Sequence, residues 1–212
     1  MSSSNKFTPI RFYELKHTPW WETSPALPAW LTATTPASTT HTAAALNAGN
    51  YYQLLIQAAA SSGTEVKVET TGGLWSGGEI KFEIDRLRFS NSTSGDADYE
   101  IYIRGANAGF TVLHTAASGK TQGQFVGQAA VNSGFVELVT NNNGLRIKNI
   151  GLHLIPGEQT AHVLVNGEIA RTFKASSFLA NQSDLKAGFK MVKRGATGDV
   201  WMRYGELRLS VA

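Results

Sequence analysis

From Tyr51 to the C-terminus, apolar and polar residues alternate in runs of five to ten, the period-2 pattern of half-buried strands. Tyr52, Leu54, Ile56 and Ala58 share one face with Gln53 and Gln57 on the other, although a helix would also accept this segment. Residues 64–69, 98–104, 110–114 and 135–140 alternate cleanly. Residues 78–90 predict one long strand whose apolar phase changes, so a bulge is expected near Asp85-Arg86. Residues 145–155 shift phase near Asn149. The strongest local signal is the run 161–173, in which Val163 and Val165 are expected to share one face before Asn166-Gly167, and Ile169, Arg171 and Phe173 to share one after it. Asn-Gly tolerates the positive φ angles of a two-residue turn and so predicts a hairpin. A last strand is expected over 200–211. Turn clusters at 91–95, 105–109, 141–144, 156–157 and 195–198 separate these runs. The pattern predicts an all-β, antiparallel two-sheet sandwich. Residues 175–186 read as a short helix or an irregular crossing, and no internal repeat is visible.

Residues 1–44 break the pattern. Five of the six prolines, Pro9, Pro19, Pro25, Pro28 and Pro36, lie there, with Trp20, Trp21 and Trp30 among them. Proline at this density disfavours a central strand, while tryptophan argues against a disordered linker. The reading is an extended arm over 1–44, flexible around 32–40, followed by a sandwich domain over 45–212. The three tryptophans would anchor the arm or dock a partner.

Composition narrows the classes. The 212 residues include no Cys, which removes disulfides, thiolate metal sites and a Cys nucleophile. Only 17% are charged and the formal net charge is +3, enough for mild attraction to anionic surfaces. Residues 1–10 lack the apolar core of a signal peptide and no 18-residue apolar run occurs, so the expectation is cytoplasmic synthesis without a membrane span. The sequons at 91–93 and 181–183 then read as ordinary loop residues.

The strand ending in Val165-Asn166-Gly167-Glu168, the closing run Tyr204-Gly205-Glu206-Leu207-Arg208-Leu209, and the order of strand 78–89 before Tyr99-Glu100-Ile101-Tyr102-Ile103 together resemble the concanavalin A-like lectin/glucanase superfamily, in particular its laminin-G-like branch. The resemblance covers roughly residues 45–212. It implies a jelly roll of two curved sheets that often bind carbohydrate at loops or on the concave face. Enzymes of the family carry an E-x-D-x-x-E strand motif, and the nearest match here is Glu83-Ile84-Asp85-Arg86-Leu87-Arg88. Arg88 stands at the last acidic position, and a guanidinium serves neither as proton donor nor as base. Glycosidase activity of that type is therefore not expected, and Glu83 and Asp85 read as a solvated strand face. The Cys-free, Gly/Ala/Ser/Thr-rich composition with an aromatic arm also resembles in style a bacteriophage virion component, such as a tail-fibre or tail-tip protein.

Residues 114–121 mimic a phosphate-binding loop, but His114 replaces the first Gly and no helix follows, so a plain turn is expected. His17, His41, His114, His153 and His162 form no i, i+4 pair with a nearby acid, which leaves zinc hydrolysis without support; His153 and His162 fall on adjacent strands. No Gly-x-Ser-x-Gly elbow occurs. Asn91, Asp96 and Asp98 offer oxygens in one loop, a set compatible with calcium or with an ordinary turn. Trp75, flanked by glycines, could form a sugar-stacking platform with Tyr102, Asn141, Asn142 and Asn143; packing is the alternative role for Trp75 and Trp201. Lys186, Lys190, Lys193, Arg194, Arg203 and Arg208 make the C-terminal segment basic, which reads as a solvated strand face. No nucleic-acid motif accompanies them. The functional expectation is a non-enzymatic module that binds a glycan or cell-surface polysaccharide, or assembles with virion proteins or copies of itself, without a cofactor. The rivals are a polysaccharide-degrading enzyme using carboxylates such as Glu100 and Glu137, and a purely structural decoration protein.

Overall fold

A computed structural model describes residues 13–22, 26–46, 49–74, 78–89, 97–127, 131–132, 149–175, 184–195 and 198–212. In chain order the first strands are β1 (Tyr13–His17), β2 (Leu31–Thr34), β3 (Thr39–Leu46), β4 (Gly49–Ile56), β5 (Glu65–Thr70) and β6 (Ile80–Asp85). They continue with β7 (Arg88–Phe89), β8 (Ala97–Arg104), β9 (Gly109–Thr115), β10 (Lys120–Phe125), β11 (Val131–Asn132) and β12 (Asn149–Ile155). The last are β13 (Thr160–Val165), β14 (Glu168–Lys174), β15 (Lys186–Lys193), β16 (Val200–Tyr204) and β17 (Glu206–Val211). Among the described residues the helical elements are two single turns, Pro19–Trp21 and Pro156–Glu158. No helix among them is long and apolar enough to cross a membrane.

The strands form three antiparallel sheets. A six-stranded sheet runs β1-β17-β6-β12-β13-β14, a seven-stranded one β11-β10-β9-β8-β15-β5-β2, and a four-stranded one β3-β4-β16-β7. Alternation decides which side of each is buried. Ile80, Phe82 and Ile84 of β6 face Ile101, Ile103, Val66, Val68 and Phe189 of the seven-stranded sheet in one continuous core. Leu54, Ile56, Met202 and Tyr204 of the four-stranded sheet join the same core.

The Asn-Gly hairpin forms as the sequence requires, with φ of 54° at Asn166 and 84° at Gly167. Its second strand departs from the expected facing. The register skips Ala170 between Ile169 and Arg171, so Ile169 turns outward and is 56% exposed, whereas Phe173 is buried. Phe173 bridges the two large sheets, 5.0 Å from the Phe110 ring. A Cβ on Gly123 would come within 2.6 Å of it.

Two expected long strands are each a pair of strands in different sheets. β6 ends at Asp85 and the chain enters the four-stranded sheet as β7; β16 leaves that sheet and re-enters the six-stranded one as β17. The phase change near Asp85-Arg86 is this crossing rather than a bulge within one strand. Arg86 takes a left-handed φ of 54°, and its N–H donates to Asp85 Oδ1 at 2.9 Å.

The stretch read as an arm is built into all three sheets: β1 pairs with β17, β2 with β5 and β3 with β4. All three are edge strands, where neighbouring prolines cost no ladder hydrogen bond. The prolines mark the turns between them. Pro28 and Pro36 carbonyls accept from Leu31 N–H at 2.9 Å and Thr39 N–H at 3.1 Å. Residues 32–40, expected to be flexible, hold β2 and the start of β3.

β1 is locked down by His17, which is buried, shares a hydrogen bond with the Tyr204 hydroxyl at 2.9 Å, and meets the Tyr52 and Tyr204 rings edge-on. Burial pushes its imidazole below the ordinary 6.5, against the opposing pull of Glu22. Burial also lowers His114 and His162, and it raises the Tyr52 phenol to about 12.

Two predictions follow from this packing. In urea denaturation, Phe173→Ala should cost about 3–5 kcal/mol through the cavity it leaves, whereas Ile169→Thr should change stability by less than about 0.5 kcal/mol as a surface substitution; equal costs would refute the bulged facing. The depressed histidines mean that the unfolded chain takes up protons first, so stability is whole above pH 6.5 and is lost as pH falls below it. The melting temperature should therefore drop between pH 7 and pH 5, and His17→Gln should shrink that drop. An undiminished drop in the variant would remove His17 from the account.

Candidate functional site

The outer face of the seven-stranded sheet carries the densest polar network among the described residues, and simple alternation places it. On β5, Val66 and Val68 point into the core, so Glu65, Lys67 and Glu69 point out. On β8, Ile101 and Ile103 point in and Glu100, Tyr102 and Arg104 out; on β15, Ala187, Phe189 and Met191 point in and Lys186, Gly188 and Lys190 out.

Register then sets the contacts. Gly188 lies between Tyr102 on β8 and Glu69 on β5. Lacking a side chain, it lets the phenol cross the strand and donate to Glu69 Oε2 at 2.8 Å; a Cβ on Gly188 would come within 2.8 Å of the phenol oxygen. Lys67 and Lys186 each reach Glu69 Oε1 at 3.2 Å. One strand spacing along, Lys190 bridges Glu65 at 3.2 Å and Glu100 at 3.1 Å. Glu100, only 5% exposed, also takes Arg104 Nη1 at 2.5 Å and the Thr111 hydroxyl. Arg104 in turn stacks 4.7 Å over the Tyr102 ring. Asp184 accepts from the Ala106 N–H at 3.0 Å. Of these, Glu65, Lys67, Glu69, Tyr102, Arg104, Asp184, Lys186 and Lys190 line a groove of about 400 Å³, with Glu100 beneath them.

The electrostatics limit what this groove can do. Burial alone would raise the Glu69 carboxyl, but hydrogen bonds from Tyr102, Lys186 and Lys67 outweigh it and hold the group below its ordinary 4.5. A carboxylate stabilised in its charged form is a poor general acid at neutral pH. Burial and the Glu69 charge push the Tyr102 phenol upward, which keeps it a donor. The face thus offers donors and acceptors that hold one another in position.

The residues singled out in the sequence fare unevenly. Tyr102 belongs to this groove, though it is buried and acts through its hydroxyl rather than its ring face. Trp75, Asn141, Asn142 and Asn143, as well as Asn91, Asp96 and Glu137, lie outside the described residues. Asp98 is buried with both oxygens occupied: Oδ1 accepts from Ala116 N–H at 2.5 Å and Oδ2 from Arg194, 2.6 Å from its nearer nitrogen. A calcium ion there would have to displace Arg194. Among the described residues no three His, Asp or Glu side chains converge as a metal site.

Trp20 packs edge-on against Tyr51 at 5.2 Å and Trp30 packs against the core, while Trp21 stays 71% exposed. His153 and His162 are cross-strand partners with ring centroids 5.8 Å apart. Residues 116–119 form the turn of the β9–β10 hairpin, with no phosphate-binding helix. The glucanase-like run is split between sheets. Glu83, 7% exposed rather than solvated, pairs with Lys81 at 3.1 Å on β6, whereas Arg88 belongs to β7.

The groove's own residues were only half visible. The polar face of β5 was legible as alternation, and Lys186 and Lys190 as part of a basic run. Their meeting with Glu69 and Glu100 depends on the order β8-β15-β5, which joins segments far apart in the chain.

No family model and no curated protein matches the chain. Solved structures do. The carbohydrate recognition domain of Emp47p superposes with a TM-score of 0.63 at 10% identity, covering 93% of this chain and 95% of that one. Arcelin-5, a lectin-like defence protein from Phaseolus vulgaris, gives 0.59 at 9% identity over 95% and 98%. A structure described with endo-acting O-glycanases of human gut microbiota that initiate mucin breakdown gives 0.62 at 9% over 93% and 98%. The fold is the concanavalin A-like jelly roll. Within that jelly roll the groove occupies the exposed side of the larger sheet, opposite the core.

The network makes one measurable claim. In an NMR titration the Glu69 carboxyl should have its midpoint below 4.5, and Tyr102→Phe should raise it by removing one donor. A midpoint unmoved by the substitution would show that the phenol contributes nothing.

Proposed function

We propose that this chain is a non-catalytic carbohydrate-binding module whose contact surface is the outer face of the seven-stranded sheet, with Trp75, Asn141, Asn142 and Asn143 as further candidate ligand contacts from the sequence. The observation that carries the reading is the groove over β5, β15 and β8, where Tyr102, Glu69, Lys67, Lys186, Lys190 and Arg104 hold one another in fixed geometry. Preorganised donors and acceptors can exchange hydrogen bonds with sugar hydroxyls at little ordering cost. The lectin-like structural neighbours agree with a carbohydrate ligand, and the depressed Glu69 carboxyl supports the non-catalytic part. The setting we propose is a phage-type particle, supported by the Cys-free composition rich in small polar residues. No calcium is invoked.

Glycan-array screening followed by calorimetry tests the reading. Binding to a neutral glycan should weaken at least tenfold, about 1.4 kcal/mol, in Lys190→Ala and in Trp75→Ala. Absence of binding to any neutral glycan would refute the groove as a carbohydrate site, and release of reducing sugar from a bound polysaccharide would restore the enzymatic reading.

A further inference from the structure

The outer face of the four-stranded sheet has a character opposite to that of the groove. Leu54, Ile56, Met202 and Tyr204 fill the core, which leaves Tyr51, Gln53 and Leu55 of β4, Trp201 and Arg203 of β16, and Arg88 of β7 on the other side. Arg203 is the cross-strand partner of both Gln53 and Arg88, so two guanidiniums stand side by side. Every cation of the groove has a carboxylate within reach; neither Arg88 nor Arg203 has one among the described residues. Sequence accounts for this, because residues 40–50, 86–95 and 200–205 contain no Asp or Glu.

Arg203 Nε donates to the Gln53 side-chain oxygen at 2.5 Å, and aromatic rings flank both cations. The Arg203 guanidinium lies 4.1 Å from the Trp201 ring centre and Arg88 lies 5.2 Å from that of Tyr51. Tyr51 meets Trp20 edge-on, and Trp20 carries Arg86 at 3.9 Å. The row ends at the exposed Trp21, 5.4 Å from the same guanidinium. Three buried polar atoms with no hydrogen-bond partner among the described residues lie along it: Arg88 Nε, Arg86 Nη1 and the Tyr51 hydroxyl oxygen. Unsatisfied buried donors are rare and costly, and their concentration in one place calls for an explanation. Burial and the adjacent Arg88 charge also disfavour the charged form of Arg203, which Tyr51 opposes.

We propose that this face binds an anionic sugar residue, carboxylated or sulfated, of an acidic polysaccharide. The paired guanidiniums supply forked donors that match a carboxylate or sulfate. Trp201, partly exposed beside Arg203, supplies a ring on which the apolar face of a pyranose can lie. An acidic sugar suits the patch better than nucleic acid. The cation pair is compact, and strong non-specific nucleic-acid binding draws on about 6–10 phosphate contacts along a backbone. The site is separate from the seven-stranded face and does not require the reading given above.

The test uses the full chain with polygalacturonate, dextran sulfate and uncharged dextran, measured by calorimetry at 50 and 150 mM salt. Binding to at least one charged polymer and none to dextran is expected, weakening with salt. Which polymer binds separates carboxylate from sulfate. Arg203→Gln should weaken it at least tenfold and Arg203→Lys by less, while the groove variant Lys190→Ala and the exposed-edge variant Lys174→Gln leave it unchanged. Arg88→Gln should act in the same direction, and if it does not fold, the Arg203 variants decide. Undiminished binding in Arg203→Gln, or no binding to either charged polymer, overturns the proposal. So does a loss in Lys190→Ala equal to that in Arg203→Gln, which would move the anion to the groove. Equal affinity for a single-stranded oligothymidylate with the same Arg203 dependence would make nucleic acid the ligand instead.

Discussion

Where β6 gives way to β7, Arg86 takes a left-handed φ of 54°; where β16 gives way to β17, Gly205 stands against it without a side chain. The Gly205 N–H donates to the Asp85 carbonyl at 3.0 Å, and its carbonyl accepts from Trp20 N–H at 3.0 Å. A Cβ at Gly205 would lie 2.9 Å from Arg86 Cδ. A left-handed non-glycine residue costs roughly 1–2 kcal/mol, and the Asp85 side chain and the Trp20 ring offset it here. Three segments distant in sequence thus close one corner, and through it the six-stranded and four-stranded sheets share a single core. A strand that changes sheet fixes the angle between the sheets more firmly than side-chain packing alone.

Everything outside the core inherits its position from that closure. Once one side of the seven-stranded sheet is committed to the interior, the strict period of two sends Glu65, Lys67, Glu69, Glu100, Tyr102 and Arg104 to the other. The order β8-β15-β5 brings carboxylates and ammonium groups of separate strands opposite one another, and Gly188 removes the one side chain that would keep Tyr102 from Glu69. Paired ions on a partly open sheet add little to stability. Their consequence is rigidity: a face whose donors and acceptors are already aimed.

The parts of this structure legible in the sequence are those governed by local rules. Asn166-Gly167 needs positive φ and nothing else, so the hairpin could be read directly; alternation on β5 and β8 named the core-facing set. The parts that were not legible depend on partners remote in the chain. The phase change at Asp85-Arg86 has the same appearance whether a strand bulges or leaves its sheet. The skipped Ala170, which turns Ile169 outward, depends on the register against β13. The prolines of residues 1–44 do exclude a central strand, but they leave edge strands open, and β1, β2 and β3 all took edges. Of the site, residue types were visible while convergence was not.

The same distinction governs how charge should be read. Lys186, Lys190, Lys193, Arg194, Arg203 and Arg208 look like one basic segment, yet the fold sends them to five surroundings. Two lysines neutralise the groove, and Arg194 neutralises Asp98. Lys193, 2% exposed, donates to the Gln57 and Ala58 carbonyls at 3.0 and 2.8 Å, and Arg208 pairs with Glu206 at 3.1 Å. Lys186, Lys190 and Arg208 also stand opposite cations, Arg104, Lys67 and Lys16, but each has a carboxylate within reach; Arg203 is set beside Arg88 with aromatic rings where acids would normally be. Net charge therefore says little about where an anion would go. The location of uncompensated charge follows from which strands become neighbours, and here that neighbourhood is the small sheet the corner holds in place.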